Sequence, residues 1–564
     1  MPRLFPLLSS LLLCSLVLSA VTAHAQIPPD AGALQQQIER ERPLSLPPLD
    51  APDRVPPPPE MSPEAISVTV KQFRFAGNTL LSDEQLAPVI AGFLDRPIDF
   101  NQLQAATVAV ANAYREAGWI VRAYLPRQEI EDGIVIIQIV EAVFGRLHLE
   151  GETTRVKPAI VAARFGARLE PGAPLSAKAI DRGLLLADDL PGVAVAGTLR
   201  PGTAEGETDL VIKLADQSFA IGEVTLDNTG SRATGVERVT SNITLASPFG
   251  LGDQLAANLL YSKGTEYIRL AYTLPLGNDG WRVGINGSLL NYQLISPEFK
   301  ALNGKGDSSS MGLEANYPLI RSRVKNLYFR LTYDHRRFDN EANATTISNY
   351  QVDNVTVGLS GNLFDTLAGG GANAASLYLV QGRVDLDGSP NRPGDDATTR
   401  THGSFSKLNY RLSRQQVITP ELSLYAAWSG QWANTNLDSS EKFYLGGANG
   451  VRAFPSNEGG GSLGQMANLE LRWRLLQGVT TTAFYDWGRI RQNVNNDFDG
   501  AAIPNSYRLK GYGLSLGWLS NSGLNIKATW ARRDGSNPNS TVTGTDQDGS
   551  LDKHRWWFSA SMPF

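Results

Sequence analysis

The sequence has almost no cysteine and no long apolar run beyond its first residues. Its one cysteine, Cys14, lies inside an apolar stretch at 4–21. Arg3 precedes that stretch and Ala23-His24-Ala25 follows it, which is the pattern of a cleaved signal peptide, so residues 1–25 are predicted to be removed. The mature chain would then contain no cysteine, which excludes disulfides and thiolate metal sites.

Three further properties of the sequence argue against particular classes of function. The five histidines are scattered without metal-ligand spacing, so neither a metal site nor a cofactor is predicted. The net charge of −5 is ordinary and gives no sign of nucleic-acid binding. After residue 25, no apolar stretch approaches the roughly 18 to 20 residues that a membrane-spanning helix needs. If the chain crosses a membrane, it must do so as a β-barrel.

Two short patterns resemble enzyme motifs but stand in the wrong context. Gly513-Leu514-Ser515-Leu516-Gly517 matches a hydrolase nucleophile pattern, yet it lies inside an alternating strand rather than on a strand-to-helix turn. The glycine-rich segment 459–464 fits a dinucleotide-binding pattern, but it opens no helix. The chain is therefore not predicted to be an enzyme.

The sequence is rich in glycine and contains many tyrosine and tryptophan residues. From residue 217 onward it consists of segments in which apolar residues alternate with polar ones. Leu469, Leu471 and Trp473 alternate with Glu470 and Arg472, which is typical of a strand with two different faces. Sixteen such segments are predicted, near 217–230, 236–248, 253–263, 266–277, 280–292, 308–317, 325–336, 349–363, 373–386, 400–414, 419–432, 465–475, 480–491, 507–519, 524–534 and 554–564.

The lengths of the connections separate a membrane barrel from a soluble β-sandwich, which would also alternate. Connections after even-numbered segments are short, and those after odd-numbered segments from the fifth onward are long. Transmembrane barrels have tight periplasmic turns and longer outer loops. Residues 217–564 are therefore predicted to form a sixteen-stranded transmembrane antiparallel β-barrel with a water-filled lumen.

The chain before the barrel has a different pattern. Residues 64–142 read strand, helix, helix, strand, strand, and residues 143–216 repeat that order, so two small α+β modules are predicted. A helix within 26–42, capped by Asp30, has only Leu34 and Ile38 as an apolar stripe, and a proline-rich linker follows at 43–63.

The connection at 433–464 is longer than joining two strands requires, which indicates a function of its own. It contains Arg452, and a later strand carries Asp486 on the face expected to point into the lumen. If the connection folds inward, Arg452 could form a two-pronged ion pair with Asp486. Arg472 and Arg474 also face the lumen and could take that place, or Asp486 could be a solvated pore charge.

Two motifs and the order of the elements carry a resemblance to a known family. Val451-Arg452-Ala453-Phe454 lies in the long connection, and Phe484-Tyr485-Asp486-Trp487-Gly488 lies on the thirteenth strand. With a plug-like helix, a linker, two POTRA-type modules and sixteen strands, the whole mature chain resembles the TpsB family of two-partner secretion transporters. The resemblance implies a gate made by Arg452 and Asp486, with support from Val451, Phe454, Phe484 and Gly488.

The resemblance also implies a function and a location. The chain would lie in the bacterial outer membrane, with its modules in the periplasm, and export one large β-helical protein such as an adhesin, haemolysin or contact-dependent toxin. Its other partners would be outer-membrane lipid and, during biogenesis, the barrel assembly machinery. An exposed edge strand could capture the client by strand addition, and the candidate edge residues are Trp119, Val121, Ala123 and Leu125.

The sequence departs from the family motif at one position, and two other classes of barrel protein remain possible. Ala453 replaces the glycine of the family motif and would be strained if that position needed a positive φ. An assembly factor of the same superfamily, which inserts other barrels, would resemble this chain but generally has more POTRA modules and lacks the plug helix and linker. A plain porin would leave the repeated module unexplained.

Overall fold

The computed structural model describes residues 28–42 and 67–564, apart from residues 167 and 205. The predicted signal peptide at 1–25 and the proline-rich linker at 43–63 lie outside these described residues. The first element is helix α1, Ala31–Glu41, and the Asp30 side chain caps it by accepting a hydrogen bond from the backbone of Ala33 at 2.8 Å. No helix in the described part of the chain is both long and apolar enough to cross a membrane.

The first module follows the predicted order. Its elements are β1 Val68–Thr69, β2 Gln72–Ala76, α2 Asp83–Ile90, β3 Pro97–Ile98, α3 Phe100–Ala117, β4 Val121–Tyr124 and β5 Ile134–Glu141, with a 3-10 turn at Ala91–Phe93. Helix α3 begins with a capping box of Asp99 and Gln102 and ends at Gly118, whose φ of 97° is a backbone conformation that glycine adopts without strain. Both helices pack on the sheet through buried apolar side chains, including Leu86 and Val110.

The second module repeats this architecture. Its elements are β6 Val143–Glu150, α4 Pro158–Gly166, α5 Ala177–Asp188, β7 Val193–Pro201 and β8 Glu207–Asp216. The sheet order β6-β8-β7 has one parallel and one antiparallel pairing, as does the order β2-β5-β4 in the first module. The repeat predicted from the sequence is thus present in the topology.

The rest of the chain forms a closed barrel of sixteen antiparallel strands, which confirms the predicted fold class. These strands are β9 Ala220–Asp227, β10 Arg238–Ala246, β11 Gln254–Ser262, β12 Thr265–Leu276, β13 Trp281–Gln293, β14 Lys305–Arg321, β15 Lys325–Ala342, β16 Thr345–Asp365, β17 Gly371–Asp385, β18 Gly403–Val417, β19 Leu422–Ala433, β22 Leu463–Leu476, β23 Val479–Arg491, β24 Ser506–Leu519, β25 Asn525–Arg533 and β26 His554–Pro563. A short helix, α6 Arg392–Ala397, and a strand pair, β20 Phe443–Tyr444 and β21 Gly460–Gly461, lie in connections.

The alternation seen in the sequence separates the two faces of the barrel wall. Leu469 and Trp473 of β22 are 50% and 54% exposed on the outside, and many other leucine and tryptophan side chains share that face. Asp486 of β23 points inward and is fully buried. So large an exposed apolar surface would be unstable in water, and a lipid bilayer covers it.

One predicted connection is wrong. The connection after the seventh barrel strand, β15, was expected to be long, but β15 and β16 continue past the predicted limits and meet at Asn343 and Ala344. Both residues have positive φ, 50° and 61°, as a tight two-residue hairpin requires. The extended ends of these strands contain polar residues on both faces, so hydrogen bonding between the strands continues where the apolar alternation stops.

The second module is bound to the periplasmic turns of the barrel. Arg182 of α5 donates to the backbone oxygens of Pro318 and Asp279, at 2.9 and 3.2 Å. Asp189 accepts two hydrogen bonds from Arg321, at 2.8 and 2.9 Å. These contacts fix the module at the mouth of the lumen.

Candidate functional site

The connection between β19 and β22 folds back into the barrel lumen. Its apolar side chains pack against lumen-facing residues of the wall, so that loop and wall share one buried cluster: Leu445, Val451, Ala453, Phe454, Phe484, Ile490, Tyr507, Leu509 and Ala531. Within the connection, β20 pairs with β21, and the backbone N–H of Val451 donates to the oxygen of Leu445 at 2.7 Å. The segment is therefore an ordered part of the lumen and not a surface loop.

Arg452, near the tip of this connection, contacts Asp486 on the wall. Its Nε donates to Oδ2 of Asp486 at 2.9 Å and its Nη2 donates to Oδ1 at 2.7 Å. The backbone N–H of Arg452 also donates to Oδ2, at 3.0 Å. Arg452 is 5% exposed and Asp486 is fully buried. The structure thus brings together the two residues that the sequence suggested as partners, in a two-pronged geometry that a lysine cannot form.

Four further side chains surround this pair. Nη1 of Arg452 donates to Glu470 of β22 at 2.8 Å, and the guanidinium carbon lies 3.5 Å from the centre of the Phe484 ring. Nδ2 of Asn468 donates to Oδ1 of Asp486 at 2.8 Å, and the indole of Trp557 donates to the Arg452 carbonyl at 2.8 Å. Nearly every polar atom of the buried pair is therefore satisfied, as a charge removed from water requires.

Glu470 is a site residue that the sequence motifs do not include. It shares the buried Arg452 with Asp486 and also binds Arg472, whose Nη2 lies 2.7 Å from its carboxylate. Arg472 is thereby held at Glu470 and does not take the place of Arg452. In the strand register Glu470 lies directly across from Phe484. The alternation of β22, which places Glu470 on the lumen face, is the one feature of the sequence that points to Glu470 as a site residue.

The remaining motif residues pack the tip of the connection against the barrel wall. Val451 and Phe454 are buried, and the guanidinium of Arg533 lies over the Phe454 ring at 4.5 Å. A Cβ on Gly488 would lie 2.6 Å from Cδ2 of Leu445 and 3.2 Å from Cγ2 of Val451. Only a glycine on the wall therefore allows the connection to approach this closely.

The position of Ala453 does not need a positive φ, so the condition for strain is not met. The φ of Ala453 is not positive, so alanine fits the backbone conformation of the tip. The Ala453 side chain instead points at Gly511 of β24, where an added Cβ would lie only 2.5 Å from the Cβ of Ala453. The extra methyl of Ala453 is accommodated because the facing wall residue has none.

Helix α1 lies inside the barrel beside the inward connection. Leu34 is buried and Ile38 is partly buried in an apolar cluster with wall residues such as Leu260, Leu290 and Tyr267. The helix is otherwise polar, and its polar side chains have polar partners. Ser308 of β14 donates to Gln35 at 3.0 Å, and Glu41 forms an ion pair with Arg238 of β10 at 2.8 Å.

The helix also contacts the inward connection directly. Nη1 of Arg40 donates to the backbone oxygen of Tyr444 at 2.6 Å, and Nε2 of Gln36 donates to that of Lys442 at 3.3 Å. Together the helix and the connection fill much of the lumen. A short helix that is too polar for a membrane is well suited to this polar interior.

The predicted edge strand, from Trp119 to Leu125, is shorter than expected at both ends. Only Val121–Tyr124 forms β4, because the backbone N–H of Ile120 donates to Leu175 of the second module at 3.1 Å and Trp119 forms a bridge to Ser176. In the described part of the chain, β4 pairs with β5 alone, so its other edge is open. The side chains named as client contacts, however, pack against the core of the first module: Trp119, Val121, Ala123 and Leu125.

One group of side chains in the described residues has the proximity of a metal site. Carboxylate oxygens of Asp385 and Asp387 and a ring nitrogen of His402 lie within 4.8 Å of one another. A guanidinium already stands among them: Nη1 of Arg392 is 2.7 Å from Asp387 and 3.0 Å from Nδ1 of His402. The Arg392 guanidinium therefore already supplies a positive charge beside these acidic side chains.

A sixteen-stranded barrel whose lumen holds an N-terminal helix and an inward connection, with two α+β modules before it, defines a class of outer-membrane transporters. The chain belongs to the haemolysin secretion/activation protein family ShlB/FhaC/HecB, whose profile matches residues 206–517. The profile of the ShlB-type POTRA domain matches residues 68–142. The chain is accordingly an outer-membrane transporter of the two-partner secretion type, with periplasmic modules, in a family of transporters rather than enzymes.

Individual relatives agree with this assignment. The heme/hemopexin transporter protein HuxB of Haemophilus influenzae (strain 86-028NP) is 24% identical over 582 residues, which cover 100% of this chain and 99% of that protein. The outer membrane transporter CdiB of Dickeya dadantii is 24% identical over 456 residues, 77% of this chain and 78% of that protein. The solved structure of CdiB from Escherichia coli has the same fold, with a TM-score of 0.68 and 20% identity over 95% of this chain and 96% of that one.

Proposed function

We propose that this chain recognises one large β-helical partner protein in the periplasm and exports it through the barrel lumen, with Arg452 and Asp486 as the gate. The observation that carries the proposal is the buried ion pair between a connection folded into the lumen and the barrel wall. A lumen filled by the chain's own helix and connection would block the free diffusion that a plain porin provides. A transporter needs such a closure, which seals the membrane at rest and moves aside for cargo.

The contacts of α1 suit a removable plug. Apart from Ala31, Leu34 and Ile38, its contacts with the wall are mainly hydrogen bonds and ion pairs, which water or another polar chain can replace. The linker at 43–63 would reach roughly 65 Å as polyproline II, while the apolar band of a barrel is about 25 Å tall. The helix could leave the lumen and remain attached.

The gate residues suit a second, tighter closure. Removing one partner of a buried ion pair leaves a buried charge and costs about 3–5 kcal/mol. The inward connection therefore does not leave the wall without a driving force. The client would supply that force by binding the open transporter better than the closed one, and folding outside the cell would then pull the chain through.

Client capture would use the open edge of β4. Main-chain hydrogen bonds of an added strand tolerate many sequences, which suits an unfolded client. Because Val121 and Ala123 face the module core, the side chains available to the client are those of Arg122 and Tyr124, which point away from it. Outer-membrane lipid around the barrel and the barrel assembly machinery during biogenesis complete the proposed partners.

The proposal includes an organisation of the chain: a signal peptide at 1–25, a plug at 26–42, a linker at 43–63, modules at 64–142 and 143–216, and a barrel from 217 to 564. The α1 helix, the repeated topology and the position of the first barrel strand support the limits of the plug, the modules and the barrel.

The direct test is a secretion assay with the partner. A neighbouring reading frame with a long repetitive β-helix pattern is co-expressed with this chain, without it, and with Asp486→Ala. We expect the partner in the medium only with the intact transporter. If the partner reaches the medium equally in all three cases, the chain does not export it. If depletion of the chain instead lowers the amounts of other outer-membrane barrels, the assembly-factor alternative is favoured.

A further inference from the structure

The inward connection touches the barrel wall at a second place, eleven residues before Arg452 in the sequence. Glu441, at the end of a 3-10 turn at Ser439–Glu441, is 2% exposed. Its carboxylate contacts Arg336 of β15 and lies 2.6 Å from Nζ of Lys407 of β18, and Nδ2 of Asn354 of β16 donates to it at 2.9 Å. One acidic side chain thus lies between two wall cations.

The backbone of Glu441 also accepts hydrogen bonds from the barrel wall. Nζ of Lys407 and Nε2 of Gln431 on β19 donate to its carbonyl oxygen, at 2.9 and 3.0 Å. The hydroxyl of Tyr350 on β16 donates to the neighbouring Asp438 at 3.0 Å. Side chains from four barrel strands therefore converge on this short turn, and none of those strands takes part in the Arg452 site.

The same turn holds the N-terminal end of α1. Oγ of Ser439 donates to the Asp30 carboxylate, lying 2.9 and 2.8 Å from its two oxygens. A Cβ on Gly32 would lie 2.9 Å from Oγ of Ser439 and 3.0 Å from Cβ of Ser440. The helix rests directly on the turn because residue 32 has no side chain.

We infer that Glu441 is the positioning residue that joins the two elements filling the lumen. It fixes the turn to the wall, and the turn holds helix α1, so the plug and the inward connection are released together. This inference rests on the proposed function, since it assigns a residue to the closure of the same lumen. It adds a second anchor, on β15, β16, β18 and β19, to the anchor of Arg452 on β22 and β23.

The charges explain why Glu441 would have this effect. Without its carboxylate, Arg336 and Lys407 would be buried near each other without that counterion, and like charges in a low dielectric repel. Glu441→Gln keeps the size of the side chain and removes only the charge. The turn should then leave the wall, and the contact with α1 should be lost.

The experiment uses a cross-link between two engineered cysteines as a measure of that contact. Gln36→Cys and Lys442→Cys, at a place where the helix side chain already contacts the residue after the turn, are placed in the full-length chain and joined by a short thiol-reactive reagent. The only other cysteine, Cys14, lies in the predicted signal peptide. Cross-linking yield in outer membranes is compared with and without Glu441→Gln. The matched control is Glu341→Gln, which removes the carboxylate of a partly exposed pair with Lys305. Ion conductance of the cysteine-free variants is measured in planar bilayers.

We expect Glu441→Gln to lower the cross-linking yield and raise the mean conductance, each at least about threefold, because the closed state loses a buried charge contact. Lys407→Met added to Glu441→Gln removes the excess positive charge and should restore much of the cross-link. A purely structural role for Glu441 would not give that rescue. If Glu441→Gln fails to assemble, Glu441→Asp, which keeps the charge on a shorter side chain, should give intermediate values.

Unchanged cross-linking and conductance in Glu441→Gln, or an equal loss in Glu341→Gln, would overturn the inference. So would a failure of Lys407→Met to restore the cross-link. None of these readouts requires the partner protein. A negative secretion assay would therefore count against the proposed function, while a negative cross-linking result would count against the role of Glu441 alone.

Discussion

Arg452 donates three hydrogen bonds to Asp486, two from its guanidinium and one from its own backbone N–H. The backbone bond fixes the main chain of the connection, and the guanidinium bonds fix the side chain. A fourth hydrogen bond, to Glu470, joins the arginine to a second strand. Most of the hydrogen bonds of Arg452 thus depend on one wall carboxylate.

The first prediction concerns this dependence. Arg452→Lys should reduce secretion of the partner at least about tenfold, because lysine cannot form the two-pronged bond and reach Glu470 as well. Asp486→Asn should have a similar effect, since it leaves the arginine buried without its full counterion. The measurement is the amount of partner in the medium, normalised to transporter in the outer membrane.

Arg474→Lys is the matched control, because Arg474 lies on β22 with an exposed side chain. Heat-dependent electrophoretic mobility shows whether each barrel has folded. Normal secretion from Arg452→Lys and Asp486→Asn, with folded barrels, would remove the ion pair from the mechanism.

The second prediction concerns the contact between Ala453 and Gly511. Gly511→Ala should displace the tip of the connection and lower secretion, because the two Cβ atoms would be only 2.5 Å apart. Ala453→Gly alone should be tolerated, and in combination with Gly511→Ala it should restore part of the activity. The restoration should be incomplete, since the new Cβ would still lie 3.1 Å from the Arg532 carbonyl oxygen.

The same secretion assay measures this double-mutant cycle. Additive losses from Ala453→Gly and Gly511→Ala would show that the two positions do not depend on each other.

The third prediction concerns the plug. Deletion of residues 30–42 should raise ion conductance in planar bilayers, because the lumen loses helix α1. Leu34→Ala should raise it less, since it weakens the apolar contact of the helix by about 2–5 kcal/mol. Leu367→Ala, at an exposed periplasmic turn, is the matched control. Equal conductance of the deletion variant and the intact chain would contradict the plug assignment.

The fourth prediction concerns pH and the first module. Partial burial raises the pKa of the Glu141 carboxyl, but hydrogen bonds from Thr79, Leu80 and Tyr114 outweigh it and hold the pKa below its ordinary value. A carboxyl with a depressed pKa stabilises the folded state at neutral pH, and this contribution is lost as the pH falls through the folded pKa.

Hydrogen exchange of β5 in the full-length protein, corrected for intrinsic rates, measures this effect. Protection should fall between neutral pH and the acidic range below the ordinary pKa of a glutamate. In Glu141→Gln, protection should already be lower at neutral pH and should depend less on pH. Glu129→Gln, at an exposed position, is the control. Equal pH dependence in the variant and the unaltered protein would exclude Glu141 as the cause.

Much of the barrel could be predicted because membrane strands carry a period-two pattern over their lipid-facing length. The pattern predicted that Asp486 points into the lumen, because Ala483, Tyr485 and Trp487 occupy the other face. The pattern ends where the strands leave the bilayer. The regular alternation therefore does not predict the hairpin at Asn343 and Ala344, because the strand ends above the membrane carry polar residues on both faces.

Contacts between distant segments were harder to predict. Glu470 and Glu441 belong to no motif in the sequence, and only the folded chain shows the cations beside them. Trp119 belongs to a strand-like segment, but its pairing with Ser176 depends on how the two modules meet. The Arg452–Asp486 contact could be anticipated because a known motif pairing supplemented the alternation.

The passage of the partner through the lumen can be measured directly with a photo-crosslinker on the barrel wall. Asn258 of β11 lies on the lumen face, where it donates to Asn242, and the adjacent Leu259 is exposed on the lipid face. During secretion, a crosslinker at position 258 should capture the partner and one at position 259 should not. Secretion without capture at position 258, or equal capture at both positions, would contradict export through this lumen.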